Sequence, residues 1–124
     1  MLQKGSASRG GQTGMEKDEF IQVVTTTGSQ KQADDLSEII LREHLAACVQ
    51  IEGPIVSRYH WQGKMEEAQE WRCVIKTRSR LFAAVAAVIR DNHSYDVPEI
   101  IALPISDSAA SYRQWLEEEI RREV

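Results

Sequence analysis

The segment from Cys48 to Arg78 limits the possible folds more than any other. "CVQIEGPIVSRYHW" (Cys48 to Trp61) alternates after the break at Gly53 and Pro54, with Ile55, Ser57, Tyr59 and Trp61 on one side and Val56, Arg58 and His60 on the other. "QGKM" turns through Gly63, and "EEAQEWRCVIKTR" then returns. Trp71, Cys73, Ile75 and Thr77 fall on one of its faces, and Ala68, Glu70, Arg72, Val74 and Lys76 on the other. A period of two on both sides of a turn predicts a hairpin. Strands of about 13 residues exceed the usual ~5 to 6 and overhang any sheet that a domain of this size can build. An overhang carrying Tyr59, Trp61 and Trp71 exposes aromatic surface and a free strand edge, both of which pairing with another copy would remove. An oligomer is expected.

The flanking segments supply the rest of the fold. "EFIQVVTTT" (Glu19 to Thr27) is dense in β-branched residues and predicts a central strand ending at Gly28. Ser29 and Gln32 have the spacing of a capping box, and Ala33, Leu36, Ile40 and Ala47 share a helical face, which predicts a helix from about Gln30 to Ala46. Ser79 can cap a second helix, built on Leu81, Phe82, Val85, Val88 and Ile89 and ending near Asn92. "VPEIIALPI" (Val97 to Ile105) predicts a strand whose two prolines place it at an edge or at bulges. Asp107 or Ser108 can cap a last helix that buries Tyr112, Trp115, Leu116 and Ile120. The order is strand, helix, strand, strand, helix, strand, helix. It predicts an α+β fold of ferredoxin-like, split βαβ plan, an antiparallel sheet with two helices on one face and a third helix added.

Composition removes several function classes. A chain of 124 residues, 42% hydrophobic and 27% charged, has room for one globular domain. The "MLQKGSASRGGQTG" segment has too little apolar surface to order itself, so residues 1 to 16 are expected to form a flexible tail or an added remnant, and residues 17 to 124 a single domain. A net charge of -4 opposes binding to nucleic acid or to an anionic membrane, since both draw on clustered Lys and Arg. No apolar run approaches the roughly 20 residues that cross a bilayer. Cys48 and Cys73 form neither a C-x-x-C motif nor a disulfide framework, which fits reduced thiols and a cytoplasmic location.

Five stretches in order then carry a resemblance. "LAACVQI" (Leu45 to Ile51), "PIVSRYHWQGK" (Pro54 to Lys64), "EWRCVIKT" (Glu70 to Thr77), "HSYDVPEII" (His93 to Ile101) and "YRQWL" (Tyr112 to Leu116) resemble the successive signatures of the CutA family, the divalent-cation tolerance proteins. The resemblance runs from about Phe20 to Leu116. It implies a homotrimer of ferredoxin-like subunits, with long hairpin strands pairing across subunits and a cleft where subunits meet. It also implies a role in the response to divalent metal ions, copper among them, and no catalytic reaction. The bacterial copper-tolerance members offer a cysteine at the end of the first strand and a second, adjacent histidine; the matching positions here are Thr25 and Asn92, and Ser94 replaces the family's proline.

His93 and Glu99 are the candidate metal ligands, because imidazole suits Cu(II) and Zn(II) and a carboxylate can share either ion. The alternative for His93 is a helix C-terminal residue facing the negative end of the dipole. Cys48, Tyr59, Trp61, Glu70, Lys76 and Tyr95 are assigned to the intersubunit cleft. A mixed cleft of Glu70, Lys76, His93, Tyr95 and Glu99 can take a hard cation on its carboxylates or a small anion on its lysine, or can be a salt-bridged contact between subunits. Cys48 in its apolar context, and Cys73 between Trp71 and Ile75, also read as small buried hydrophobes. His44 and His60 have no partner at metal spacing and are assigned to solvent or local hydrogen bonds. With no phosphate loop and no nucleophile elbow, a binding protein is expected rather than an enzyme. Three functions are carried forward: a metal-binding tolerance protein, a trimeric sensor of a small ligand that signals to an unidentified protein partner, and a hydrolase using His93 with Glu99.

Overall fold

The computed structural model describes residues 19–124, so the expected tail over residues 1 to 16 lies outside the described residues. The elements are β1 (Phe20–Thr27), α1 (Gln30–Arg42), β2 (Cys48–Trp61), β3 (Lys64–Arg78), α2 (Phe82–Asn92), β4 (Ile101–Pro104) and α3 (Ala110–Glu119), with a 3₁₀ turn at Ser79–Leu81 leading into α2. The four strands form one antiparallel sheet in the order β2-β3-β1-β4. This is the expected ferredoxin-like plan.

Alternation decides which side chains enter the core. Ile21, Val23 and Thr25 of β1 pair with Thr77, Ile75 and Cys73 of β3. The apolar members of these pairs pack against Ala33 and Ile40 of α1 and Val85 and Ile89 of α2. α3 lies over one end of the sheet instead: the Arg113 guanidinium sits 5.0 Å from the Phe20 ring, and Arg78 donates from Nη2 to the Glu117 carbonyl at 2.8 Å. A buried arginine thereby satisfies a carbonyl in the last turn of α3, where cations are favoured.

Several boundaries differ from the sequence expectation. Ser29 caps α1 as expected, its Oγ accepting from Gln32 N at 3.1 Å. The helix ends at Arg42, four residues before the expected Ala46. There His44 adopts a left-handed φ of 55°, His44 N donates to Leu41 O at 3.0 Å and Leu45 N to Ile40 O at 3.1 Å. Those bonds make a Schellman motif, which usually announces itself with a glycine. A histidine hides it. The expected strand over Val97–Ile105 shrinks to Ile101–Pro104, because β4 pairs only with Ile21–Val24 of β1. Val97 to Ile100 become part of a loop. The residue before α3 is Ala109, not Asp107 or Ser108, and Asp107 Oδ1 accepts from Ser108 N at 2.8 Å. Leu116 and Ile120 are buried as expected, whereas Tyr112 and Trp115 are exposed.

Within the hairpin, Gln62 and Gly63 take positive φ of 52° and 79°, the signature of a two-residue type I′ turn. A bulge follows from the register, since β2 advances from Glu52 to Ile55 while β3 advances only from Arg72 to Glu70. Its extra residue switches the face that the odd-numbered residues of β2 occupy. Val49 and Ile51 lie beside Ile75 and Cys73, whereas Ile55, Ser57, Tyr59 and Trp61 lie on the face of Glu70. Gly53 is required at this point: a Cβ there would sit 2.3 Å from Trp71 Cδ1.

Candidate functional site

The face switch at the bulge aims Ser57, Tyr59 and Trp61 toward the loop that follows α2. Together with Thr26, Arg58, Glu70, Tyr95, Asp96, Val97 and Glu99 they line a cavity of about 550 Å³. Glu70 is the most deeply placed charge of this lining, only 7% exposed, and its Oε2 accepts a hydrogen bond from the Tyr95 hydroxyl at 2.9 Å. Burial first, then the hydrogen bond to Glu70 and its charge, push the Tyr95 phenol up to about 12. Tyr95 therefore remains a donor at any physiological pH. Arg58, also in the wall, is paired to Glu67 at 2.9 Å, which leaves the carboxylates of Glu70, Asp96 and Glu99 to set the sign of the cavity.

His93 builds this wall without joining it. Its Nε2 lies 2.7 Å from the Thr26 carbonyl, and its Nδ1 is 3.0 Å from the backbone N–H of Tyr95. A carbonyl can only accept and an amide can only donate, so the partners assign the neutral tautomer with the proton on Nε2. The ring clamps the loop to the end of β1 and packs at a tilt against Tyr95, with ring centroids 4.6 Å apart. Both nitrogens are committed to backbone, and metal binding would have to displace one of these bonds. His93 is the C-cap residue of α2, the helix C-terminal position of the alternative reading, while its ring bonds go to β1 and to the loop.

The structure brings Tyr59, Trp61, Glu70, Tyr95 and Glu99 together and leaves Cys48 and Lys76 elsewhere. These two pair with each other at the far end of the β2–β3 ladder. Lys76 is six residues from Glu70 along β3, about 20 Å at 3.3 Å per residue. Its Nζ reaches the Tyr112 hydroxyl at 3.3 Å. Within one chain, then, Lys76 lies apart from the acidic cavity: a shared face is not proximity in a strand this long. Among the described residues, no group of three or more His, Cys, Asp and Glu side chains is gathered closely enough to hold a metal ion. Cys73 packs as a core residue, its thiol pushed up to about 11 by burial and then by the charge of Asp34. His44 makes a long-range bond, Nδ1 to the Glu119 carbonyl at 3.1 Å, that local spacing could not show. Asp96 was not singled out by sequence; its place between Tyr95 and the Pro-Glu pair was the only signal available.

The family model described as CutA1 divalent ion tolerance protein matches residues 21–119. The chain belongs to this family. It is similar to protein CutA, chloroplastic, of Arabidopsis thaliana, 40% identical over 82% of this chain, and spans 56% of that protein's length. It is similar also to the divalent-cation tolerance protein CutA of Thermus thermophilus, 38% identical over 77% of this chain and 93% of the relative. Among solved structures, CutA1 from Oryza sativa superposes with a TM-score of 0.83 at 38% identity, covering 86% of this chain and 98% of that one. The resemblance of the five sequence stretches thus extends to the fold.

Proposed function

We propose that this chain acts as a homotrimeric divalent-cation tolerance protein, a binding protein rather than an enzyme, that takes up its cation through oxygen donors in the acidic cavity. The observation that carries this reading is the nearly buried Glu70 carboxylate, held by Tyr95 in a wall it shares with Asp96 and Glu99. Carboxylates suit Mg, Ca and Mn ions and can also ligate Zn, whereas copper gains most from imidazole and thiolate. With Thr25 and Asn92 at the positions of the bacterial cysteine and second histidine, and with His93 engaged by backbone, the donor set favours the oxygen-seeking ions. Among the described residues of one chain no three such donors converge, and in the proposed trimer a second copy supplies the remaining ligands. The exposed Val56, Tyr59, Trp61 and Met65 of the hairpin, and Ile101 and Leu103 on the edge strand, support assembly, since pairing would bury them.

The sensor reading loses its main support with Lys76 displaced from the cavity, and the hydrolase reading loses the free imidazole it needs. Calorimetric titration with Mn(II), Zn(II) and Cu(II), with light scattering on the same samples, tests the proposal. Saturable Mn(II) or Zn(II) binding is expected, weakened at least about tenfold in Glu99→Gln, which removes one ligand charge. A scattering mass near one subunit, or a Cu(II) preference that survives Glu99→Gln and vanishes in His93→Ala, would overturn it.

A further inference from the structure

The cavity at Glu70 is larger than a metal ion requires and is lined for a different kind of cation as well. Its volume of about 550 Å³ lies within the ~300 to 1,000 Å³ of small-molecule sites. Glu70, 7% exposed, has no cationic partner among the described residues, and its one hydrogen bond comes from a neutral phenol. A buried carboxylate in that state still has acceptor capacity for N–H donors and is stabilised by a counter-charge. Tyr59 and Trp61 line the same cavity farther along the hairpin, and aromatic rings attract a cation that has shed part of its water. An anion would meet three carboxylates against one arginine, Arg58, which is already paired to Glu67. A neutral apolar ligand would desolvate Glu70 further without compensation.

We propose that this cavity binds an organic ammonium or guanidinium group, with Glu70 as its counter-ion and the Trp61 and Tyr59 rings as its walls. This goes beyond the metal reading and does not rest on it, although both cations draw on the same carboxylates and exclude one another. The group can arrive on a free amine or on a Lys or Arg side chain of a second copy seated in the cavity, and the chemistry of recognition is the same.

Calorimetric titration with putrescine in the presence of EDTA, paired with sedimentation velocity, separates the two sources. Glu70→Gln keeps the size of the side chain and an acceptor for Tyr95, and Trp61→Leu keeps an apolar side chain at the end of the hairpin where copies are proposed to meet, so each is checked for a native melt and Trp61→Leu also for an unchanged sedimentation profile. If the source is a free amine, saturable putrescine binding persists in EDTA, weakens about tenfold in Glu70→Gln and about threefold in Trp61→Leu. If the source is a second copy, wild type takes up no putrescine and Glu70→Gln shifts sedimentation toward smaller species. Equal binding by wild type and Glu70→Gln overturns the proposal, as does absence of binding together with unchanged sedimentation. Loss of metal binding in Glu99→Gln with putrescine binding intact would separate this site's chemistry from the metal reading.

Discussion

The two halves of the β2–β3 hairpin share one ladder and one alternation, yet they live in different surroundings. In the inner half, from Cys48 to Glu52 against Arg72 to Lys76, one face is sealed under helices and Ile75 is 0% exposed. In the outer half, from Ile55 to Trp61 against Lys64 to Glu70, Met65 is 75% exposed and Trp61 50%. Element lengths explain the difference. The 15 residues of β3 extend about 50 Å, while the 13 residues of α1 and 11 of α2 cover only about 20 Å and 16 Å. The helices run out before the strands do. A core-forming pattern beyond the reach of these helices becomes the wall of a cavity and exposed apolar surface.

The sharpest way to break this comparison is to truncate one residue in each half. Ile75→Ala should cost about 2 to 5 kcal/mol in urea unfolding, because the buried site cannot collapse around the lost methyls. Met65 is exposed within the subunit, so Met65→Ala should cost well under Ile75→Ala, and that cost should vary with protein concentration if copies bury it. Equal losses would mean that the two halves are packed alike. Gly53 marks the boundary, and Gly53→Ala should cost about 1 to 3 kcal/mol by displacing the Trp71 ring, read as a lowered melting temperature with reduced near-ultraviolet dichroism. A variant as stable as wild type would show that the junction is loose.

The smallest effect is a pH dependence of the outer wall. Because the fold raises the Tyr95 phenol to about 12, the stabilisation linked to it is complete below the ordinary tyrosine value of about 10 and fades as pH rises toward the folded value. Ultraviolet difference titration should show one late-ionising tyrosine. Glu70→Gln should bring it partway down, with burial retaining the rest. A tyrosine profile unchanged by Glu70→Gln would separate Tyr95 from the carboxylate.

Much of the fold was legible because alternation and helical spacing are local. The Ser29 cap, the apolar face of α1 and the break at Gly53 and Pro54 all lie within a few residues of the atoms they govern, whereas the switch of face at that break shows only in the register. The end of α1 was not legible, since a left-handed His44 is chosen by the contacts it makes, including one to Glu119. The site was legible in part. Tyr59, Trp61, Glu70, Tyr95 and Glu99 converge as expected, but Lys76 was grouped with Glu70 by parity alone, and parity carries no information about distance along a strand.

By itself, then, the sequence determined the order of elements, the side of the sheet that each strand residue occupies, and the family to which the chain belongs, because all three are written in spacing and in short motifs. Only the tertiary structure decided that His93 is a clamp between Thr26 and Tyr95 rather than an open ligand. It also decided that the carboxylate beside Tyr95 is nearly buried and that the cavity is acidic. Those outcomes depend on which groups reach each other across 25 and 67 residues of chain. Hydrogen-bond partners at such separations are set by packing, and no local pattern encodes them.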